Sequence, residues 1–341
     1  MKTTRKTEII NAMPSFSKTL CKKSELLPEM LMLQDELVNL TFNGDHAENA
    51  QLRIWDVQNH LATLNEDRGH VADELLQQFN TGCQRIIDCI SGEIGGKKGE
   101  DKAMRSIDTI RTKHTVLRNI ELSSGDHTTE LDFVIFTEKA VFIIEVKNTA
   151  RNIFIDKRGN YCRVHNGRVS FDKNIGEKMN DKAYLLRNVL QNAGIENPNI
   201  ISLVVFTNSG ITVTNEFPFI QHCYLSSLPH LVDACAGEVL YTGDMIRQMA
   251  ESVELAKYAG SYPLPLDVNQ FKNDFADLMI ALEGAAEDRL EPSENTASEP
   301  TVVKVNTTPS WLKGAAIVLG GVPLVGLAVL ATIKMARSSR R

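Results

Sequence analysis

The chain has 341 residues, 43% apolar and 23% charged, which suits one large folded domain or two and excludes a disordered chain, a collagen-like repeat or a disulfide-stapled mini-fold. Thirty-seven Lys and Arg against 43 Asp and Glu leave −6 at pH 7, an average that taken alone argues against a nucleic-acid partner. The distribution is uneven: net charge is −4 over residues 1–90, +3 over 91–178, −6 over 179–282, −4 over 283–310 and +5 over 311–341.

Residues 1–91 read as a helical N-terminal region. Leu26, Leu27, Met30, Leu33, Leu37 and Leu40 recur at three- and four-residue steps. Leu52, Trp55, Val57, Leu61 and Leu64 repeat the pattern, as do Val71, Leu75, Leu76, Phe79, Ile86 and Ile90. Asn43-Gly44-Asp45 separates the first two stretches. A helical hairpin is the expected form, and a self-associating helical region is its rival.

From residue 115 the pattern turns to strands. Val116–Leu122, Leu131–Phe136 and Val141–Lys147 are short β-rich runs, followed by Ile153–Ile155, Tyr161–Val164 and Arg168–Phe171. The last two flank Asn166-Gly167, a strong hairpin signal. A helix is predicted over 178–192, then a wholly apolar strand at Ile200–Phe206 and another at Phe219–Tyr224. Helices near 228–236, 243–258 and 268–282 are expected to close the domain.

Residues 283–310 are rich in Glu, Ser, Thr, Pro and Asn and read as a flexible acidic tether. The twenty uncharged residues 314–333, about 30 Å as a helix, match the hydrocarbon thickness of a bilayer. Trp311 flanks one end, and Lys334, Arg337, Arg340 and Arg341 flank the other. A single transmembrane helix over 311–334 and a basic tail over 335–341 are therefore predicted. Ala316 and Gly320 give it a small-residue pair for packing against a second copy. The six cysteines form no C-x-x-C pair and, with the eight histidines, show no zinc spacing, so they read as reduced thiols of a cytosolic compartment. No secretory signal is seen in the first thirty residues. The expected topology is a C-terminal membrane anchor with the large N-terminal domain in the cytoplasm, although the terminal basic residues alone would put the C-terminus inside.

The chemistry concentrates in the hairpin Leu131–Phe136 / Val141–Lys147. With the turn at Glu138-Lys139, paired positions sum to 277 and Asp132 faces Glu145. Glu145 and Lys147 share a strand face, and the cross-strand partner Asp132 joins them. Two carboxylates about 5 Å apart repel by about 3 kcal/mol at an effective dielectric of 20. A hard divalent cation between them removes the conflict. Lys147 is then placed to orient an attacking water or to neutralise charge on a phosphate. As an exposed strand edge the same charges would be inert, but Phe142-Ile143-Ile144 shows that the strand they end is buried on both faces.

Gly96-Lys97-Lys98-Gly99-Glu100, Thr129-Glu130-Leu131-Asp132 and Ile144-Glu145-Val146-Lys147-Asn148, in this order, resemble the nuclease-related (NERD) domain of the PD-(D/E)xK, restriction-endonuclease-like superfamily. The resemblance covers about Gly92 to Ala236 and takes in the strand Leu203-Val204-Val205-Phe206. It implies an α/β fold with a mixed sheet flanked by helices, and phosphodiester hydrolysis with Mg²⁺ or Mn²⁺. It also implies Asp132 and Glu145 as metal ligands, Glu100 as a further ligand on the first core helix, and Lys147 as the catalytic lysine. Where the family carries an N-P-x-x-Q-N pattern, this chain reads Gly176-Glu177-Lys178-Met179-Asn180-Asp181 and lacks the Pro and Gln.

The expectation is thus a nuclease-like domain over 92–282 (core 92–236), membrane-anchored through 314–333 and acting on nucleic acid, with DNA the expected substrate. The alternative is a catalytically weak or inactive module of the same fold that binds nucleic acid or scaffolds at a membrane. Arg151, Lys157, Arg158, Arg163, Arg168 and Lys173 are candidate phosphate contacts, and would look the same as solvated strand edges. Lys97 and Lys98 are expected at the N-terminus of the Glu100 helix.

Overall fold

A computed structural model describes residues 2–42, 52–124, 127–165 and 167–287 of the chain. The N-terminal part comprises α1 (Lys2–Asn11), the short strand β1 (Leu20–Cys21), α2 (Leu26–Phe42), α3 (Ile54–Asp67) and α4 (Asp73–Ile107). The strand region follows with β2 (His114–Ser124), β3 (His127–Thr137), β4 (Val141–Lys147), β5 (Asn152–Ile155), β6 (Asn160–His165) and β7 (Arg168–Asn174). Then come α5 (Ile175–Asn192), β8 (Ile200–Phe206), β9 (Val213–Asn215), β10 (Gln221–Tyr224), α6 (Leu228–Asp233), α7 (Gly243–Leu255), β11 (Tyr262–Pro263) and α8 (Val268–Glu287).

The central sheet is mixed, in the order β10-β8-β4-β3-β2. β4, β8 and β10 run parallel, while β2, β3 and β4 form an antiparallel meander. Parallel strands buried on both faces need apolar side chains throughout, which the runs in β4 and β8 supply. One face of the sheet packs Val134, Phe136, Val141 and Ile143 against α5 and α7, through Met179, Leu186, Met249 and Val253. The other packs Phe133, Ile135, Phe142 and Ile144 against the C-terminal half of α4 and against α6, through Ala103, Ile107, Leu228 and Val232. A second sheet, β7-β6-β5-β9, flanks the first. The described part is thus a mixed α/β fold with a multistranded sheet between helices.

Three expectations are corrected. First, the boundary at residues 91 and 92 lies inside α4, which runs unbroken for 35 residues through Gly92, Gly95, Gly96 and Gly99. Each glycine weakens a helix by about 1 kcal/mol relative to Ala, so the sequence pattern favours a break there. Packing overrides it, because the two halves of α4 are anchored in different cores. Second, Lys97 and Lys98 are consequently exposed mid-helix residues, with no helix N-terminus beside them to receive a phosphate. Third, α8 does not close the central sheet. It packs Phe271 and Phe275 against Phe79 of α4, with ring centroids 5.4 Å apart in each case, inside the N-terminal helical core. An apolar helical stripe announces that a partner exists but not which one. α8 also continues to Glu287, taking the first residues of the predicted tether.

The predicted transmembrane helix, the basic tail, the tether from 288 onward and the Asn43-Gly44-Asp45 break all lie outside the described residues. Among the described residues, no helix is long and apolar enough to cross a membrane. All six cysteines are free, and Cys21, Cys83, Cys162 and Cys223 are buried.

Gly99 lets α4 approach β4 closely: a Cβ there would stand 2.8 Å from the Cβ of Asn148 and 3.5 Å from Val146. Gly96, one turn earlier, has open space around it. The Gly99→Ala variant is therefore expected to lose about 1–3 kcal/mol through forced separation of α4 and β4. Gly96→Ala should instead gain up to about 1 kcal/mol of helix propensity. Denaturant unfolding of the two variants side by side checks this, and equal effects would contradict the close approach.

Candidate active site

The β3–β4 hairpin has the register expected from the sequence. Phe133 pairs with Ile144 and Phe136 with Val141, so positions sum to 277, and the turn closes through Thr137 N–H donating to Ala140 O at 3.0 Å. The regular ladder stops just before Asp132. Asp132 Oδ2 instead accepts the Val146 N–H at 2.7 Å, so the side chain takes over where the backbone pairing ends. On the other side, the β2–β3 ladder skips Asn119, which stands opposite Asp132 with φ of 53°. Asn tolerates this left-handed conformation better than most residues. Asp132 is thus seated at an irregularity on both of its neighbours.

Glu145 sits at the end of β4 with only 1% of its surface exposed. A lone carboxylate there would be strongly penalised, yet three lysines surround it. Lys147 and Lys178 reach Oε1, Lys178 at 2.9 Å, and Lys182 reaches Oε2. The Lys182 ammonium also lies 3.6 Å from Asp132 Oδ1, and its side chain is fully buried. Burial alone would raise the Glu145 pKa, but Lys147, Lys182 and Lys178 outweigh it and hold the carboxyl well below its ordinary range. Burial likewise works against the Lys182 charge, but Glu145 and Asp132 more than compensate and raise its pKa.

Lys178 and Lys182 come from α5. That helix starts where Gly159, at φ +83°, meets Gly176: a Cβ on Gly159 would come within 2.8 Å of the Gly176 Cα. The Gly159 carbonyl accepts the first N–H groups of the helix at 2.8 and 3.1 Å, and the Asn174 side chain caps it by accepting from Glu177 N–H at 2.8 Å. The Lys182 position repeats the buried stripe Ile175, Met179, Leu186 and Leu190, so the ammonium is carried inward by an otherwise apolar face. A lysine embedded in such a stripe was the available signal, and the sequence reading missed it. Asn180, at the place of the family's polar motif, is exposed on the opposite side of α5.

The structure therefore brings Asp132, Glu145 and Lys147 together and adds Lys178 and Lys182. Glu100, on α4, pairs with Arg118, which is stacked 5.8 Å over Phe133 and reaches Glu100 at 3.4 Å and Asp101 at 2.7 Å. Glu130, on the Asp132 face of β3, has its pKa raised by burial, against the pull of Lys23, with Asp132 and Glu100 adding to the rise. Lys23, from the N-terminal region, lies 3.1 Å from Glu93 and 3.9 Å from Glu130.

Of the six basic residues after the motif, Lys173 is drawn towards this cluster. Its pKa is lowered to about 8, first by the charge of Lys147, then by burial and by Lys178. Arg163 pairs with Asp172 at 2.9 Å, and Arg151, Lys157, Arg158 and Arg168 are exposed.

Among the described residues, no group of three or more His, Cys, Asp and Glu is arranged to hold a metal ion. The two facing carboxylates still suit Mg²⁺, which keeps several waters and is commonly held by one or two carboxylates together with substrate phosphates. The donor chemistry fits, with the Lys182 ammonium lying between the two donors.

The mixed sheet thus seats two carboxylates and a lysine at the end of β4, edged by further lysines. Residues 95–207 match the family described as the nuclease-related domain, and this segment spans α4 from mid-helix to the end of β8 and contains the whole cluster. No curated protein and no solved structure matches the chain.

Proposed function

We propose that the chain is a divalent-metal-dependent nuclease of restriction-endonuclease-like fold, hydrolysing phosphodiester bonds in DNA. The carrying observation is the buried Glu145 facing Asp132 with Lys147 beside it, inside the segment that matches the nuclease-related domain. Asp132 and Glu145 would hold Mg²⁺ or Mn²⁺, which when bound would supply Lewis-acid polarisation of the phosphate. Lys147 orients the attacking water and screens negative charge growing on the scissile phosphate. Lys178, on the solvent side of Glu145, and Lys173 bind the flanking phosphates. Glu100 is a further candidate ligand on α4, paired with Arg118 at 3.4 Å just as Glu145 is paired with lysines. The test is incubation of the full-length chain in detergent with DNA and RNA, with Mg²⁺ or Mn²⁺ or with EDTA. DNA cleavage that needs the metal is the expected result; cleavage unaffected by EDTA would remove the proposed metal from the reaction.

A second reading is favoured by one observation: both Glu145 oxygens already have lysine partners. In that case the domain binds nucleic acid without turning it over, tethered to a membrane by residues 314–333. The tether itself we assign to the cytoplasmic side. Protease added outside spheroplasts should leave the N-terminal domain intact, and its digestion would reverse the topology.

Lys173 makes DNA affinity dependent on pH. Its folded pKa, about 8, lies below the ordinary lysine value, so it is charged below pH 8 and neutral above. Phosphate contact requires the charged form. Affinity is therefore expected to fall as pH rises through 8, with proton uptake on binding near that pH. Fluorescence anisotropy from pH 6.5 to 9.5 checks this, and Lys173→Met should flatten the profile.

A further inference from the structure

We propose that Lys182 is a resident counter-cation of the Asp132–Glu145 pair, and that a divalent cation enters the site only by displacing its ammonium. This rests on the metal-dependent reading above and adds to it a means of control. The Lys182 side chain is fully buried, contacts Glu145 Oε2 and lies 3.6 Å from Asp132 Oδ1. It thus bridges two carboxylates on adjacent strands, the position where a cation neutralises both. Lys147 and Lys178 approach Glu145 from the other oxygen and are partly exposed, so they do not contest that position.

Charge then links metal entry to substrate. Asp132, Glu145, Lys147, Lys178 and Lys182 together carry +1. A divalent cation raises this to +3 while Lys182 loses its partners. An arriving phosphate offsets the added charge and gives the displaced ammonium a new acceptor. Metal and nucleic acid therefore bind with positive coupling, and the protein alone holds metal weakly.

The test is Mn²⁺ binding followed by electron paramagnetic resonance on the full-length protein, as wild type, Lys182→Met and Lys178→Met, each with and without a short DNA duplex. Lys182→Met should bind Mn²⁺ at least ten-fold tighter than wild type in the absence of DNA, and should lose most of the enhancement that DNA gives the wild type. Lys178→Met, which leaves Lys182 in place, should change the DNA-free affinity by less. Circular dichroism establishes that each variant is folded. A second readout uses the wild type alone: Mn²⁺ with duplex should increase acylation of Lys182 by acetic anhydride, scored by peptide mass spectrometry. Equal, measurable Mn²⁺ affinity in wild type and Lys182→Met, or Lys182 acylation unchanged by metal, would overturn the displacement. Absence of Mn²⁺ binding in every form, with and without DNA, would instead overturn the metal-dependent reading on which it rests.

Discussion

Lys147→Met is expected to lower metal-dependent DNA cleavage by about 10²–10³-fold, the usual cost of removing one preorganised charge from a transition state. The residue contacts Glu145 from the strand end and is only partly exposed, so its ammonium is fixed before substrate arrives. Asp132→Asn should be at least as damaging, because it removes a charge from the carboxylate pair while keeping an oxygen that can still accept the Val146 N–H. Both variants should keep near-normal stability, since neither leaves a fully buried charge without a partner. Single-turnover cleavage on a labelled duplex, read beside duplex affinity, separates chemistry from binding. Full cleavage by Lys147→Met would sink the assignment of this residue to the reaction, and full cleavage by Asp132→Asn would sink the site.

Glu145→Ala is expected to lower the free energy of unfolding by about 3–5 kcal/mol, the cost of breaking a buried ion pair by removing one partner. Lys182 is the reason. Lys147 and Lys178 are partly exposed and can turn to water, but the fully buried Lys182 is left with Asp132 alone, at 3.6 Å. Replacing both buried partners by apolar residues, Glu145→Leu with Lys182→Met, should recover most of the loss. A double-mutant cycle in denaturant measures the coupling, and independent, additive effects would contradict it.

The same pair gives stability an acid limb. Glu145 has a folded-state pKa below its unfolded value of about 4.3, so its contribution is complete above that pH. It is lost as pH falls through the folded value, because the unfolded state then binds more protons than the native state. Wild type should therefore lose stability below about pH 4 more steeply than the Glu145→Leu, Lys182→Met variant.

Lys23 extends from the N-terminal region to Glu130, two residues from Asp132 on the same strand face. The long α4 joins the N-terminal helical core to the sheet, with its first half beside Phe271 and Phe275 of α8 and its second beside β4. The N-terminal helices are thus covalently and sterically continuous with the element that abuts the site strand.

Much of this was legible in the sequence. The β-rich and apolar runs located β3, β4 and β8, and a turn at Glu138-Lys139 set the β3–β4 register that faces Asp132 towards Glu145, because a strand has one repeat and a tight turn admits few pairings. Three- and four-residue apolar spacing likewise located α2, α3 and the first half of α4. Tertiary structure decided what those local rules do not encode. It chose the N-terminal helices as the partner of α8, carried α4 through five glycines, and paired Glu100 with Arg118. It also brought Lys178 and Lys182, more than thirty residues after Glu145, onto that carboxylate. Sequence periodicity reports which face of an element is apolar, but the partner of a buried charge depends on which distant element packs there, and that is settled only when the chain closes its core.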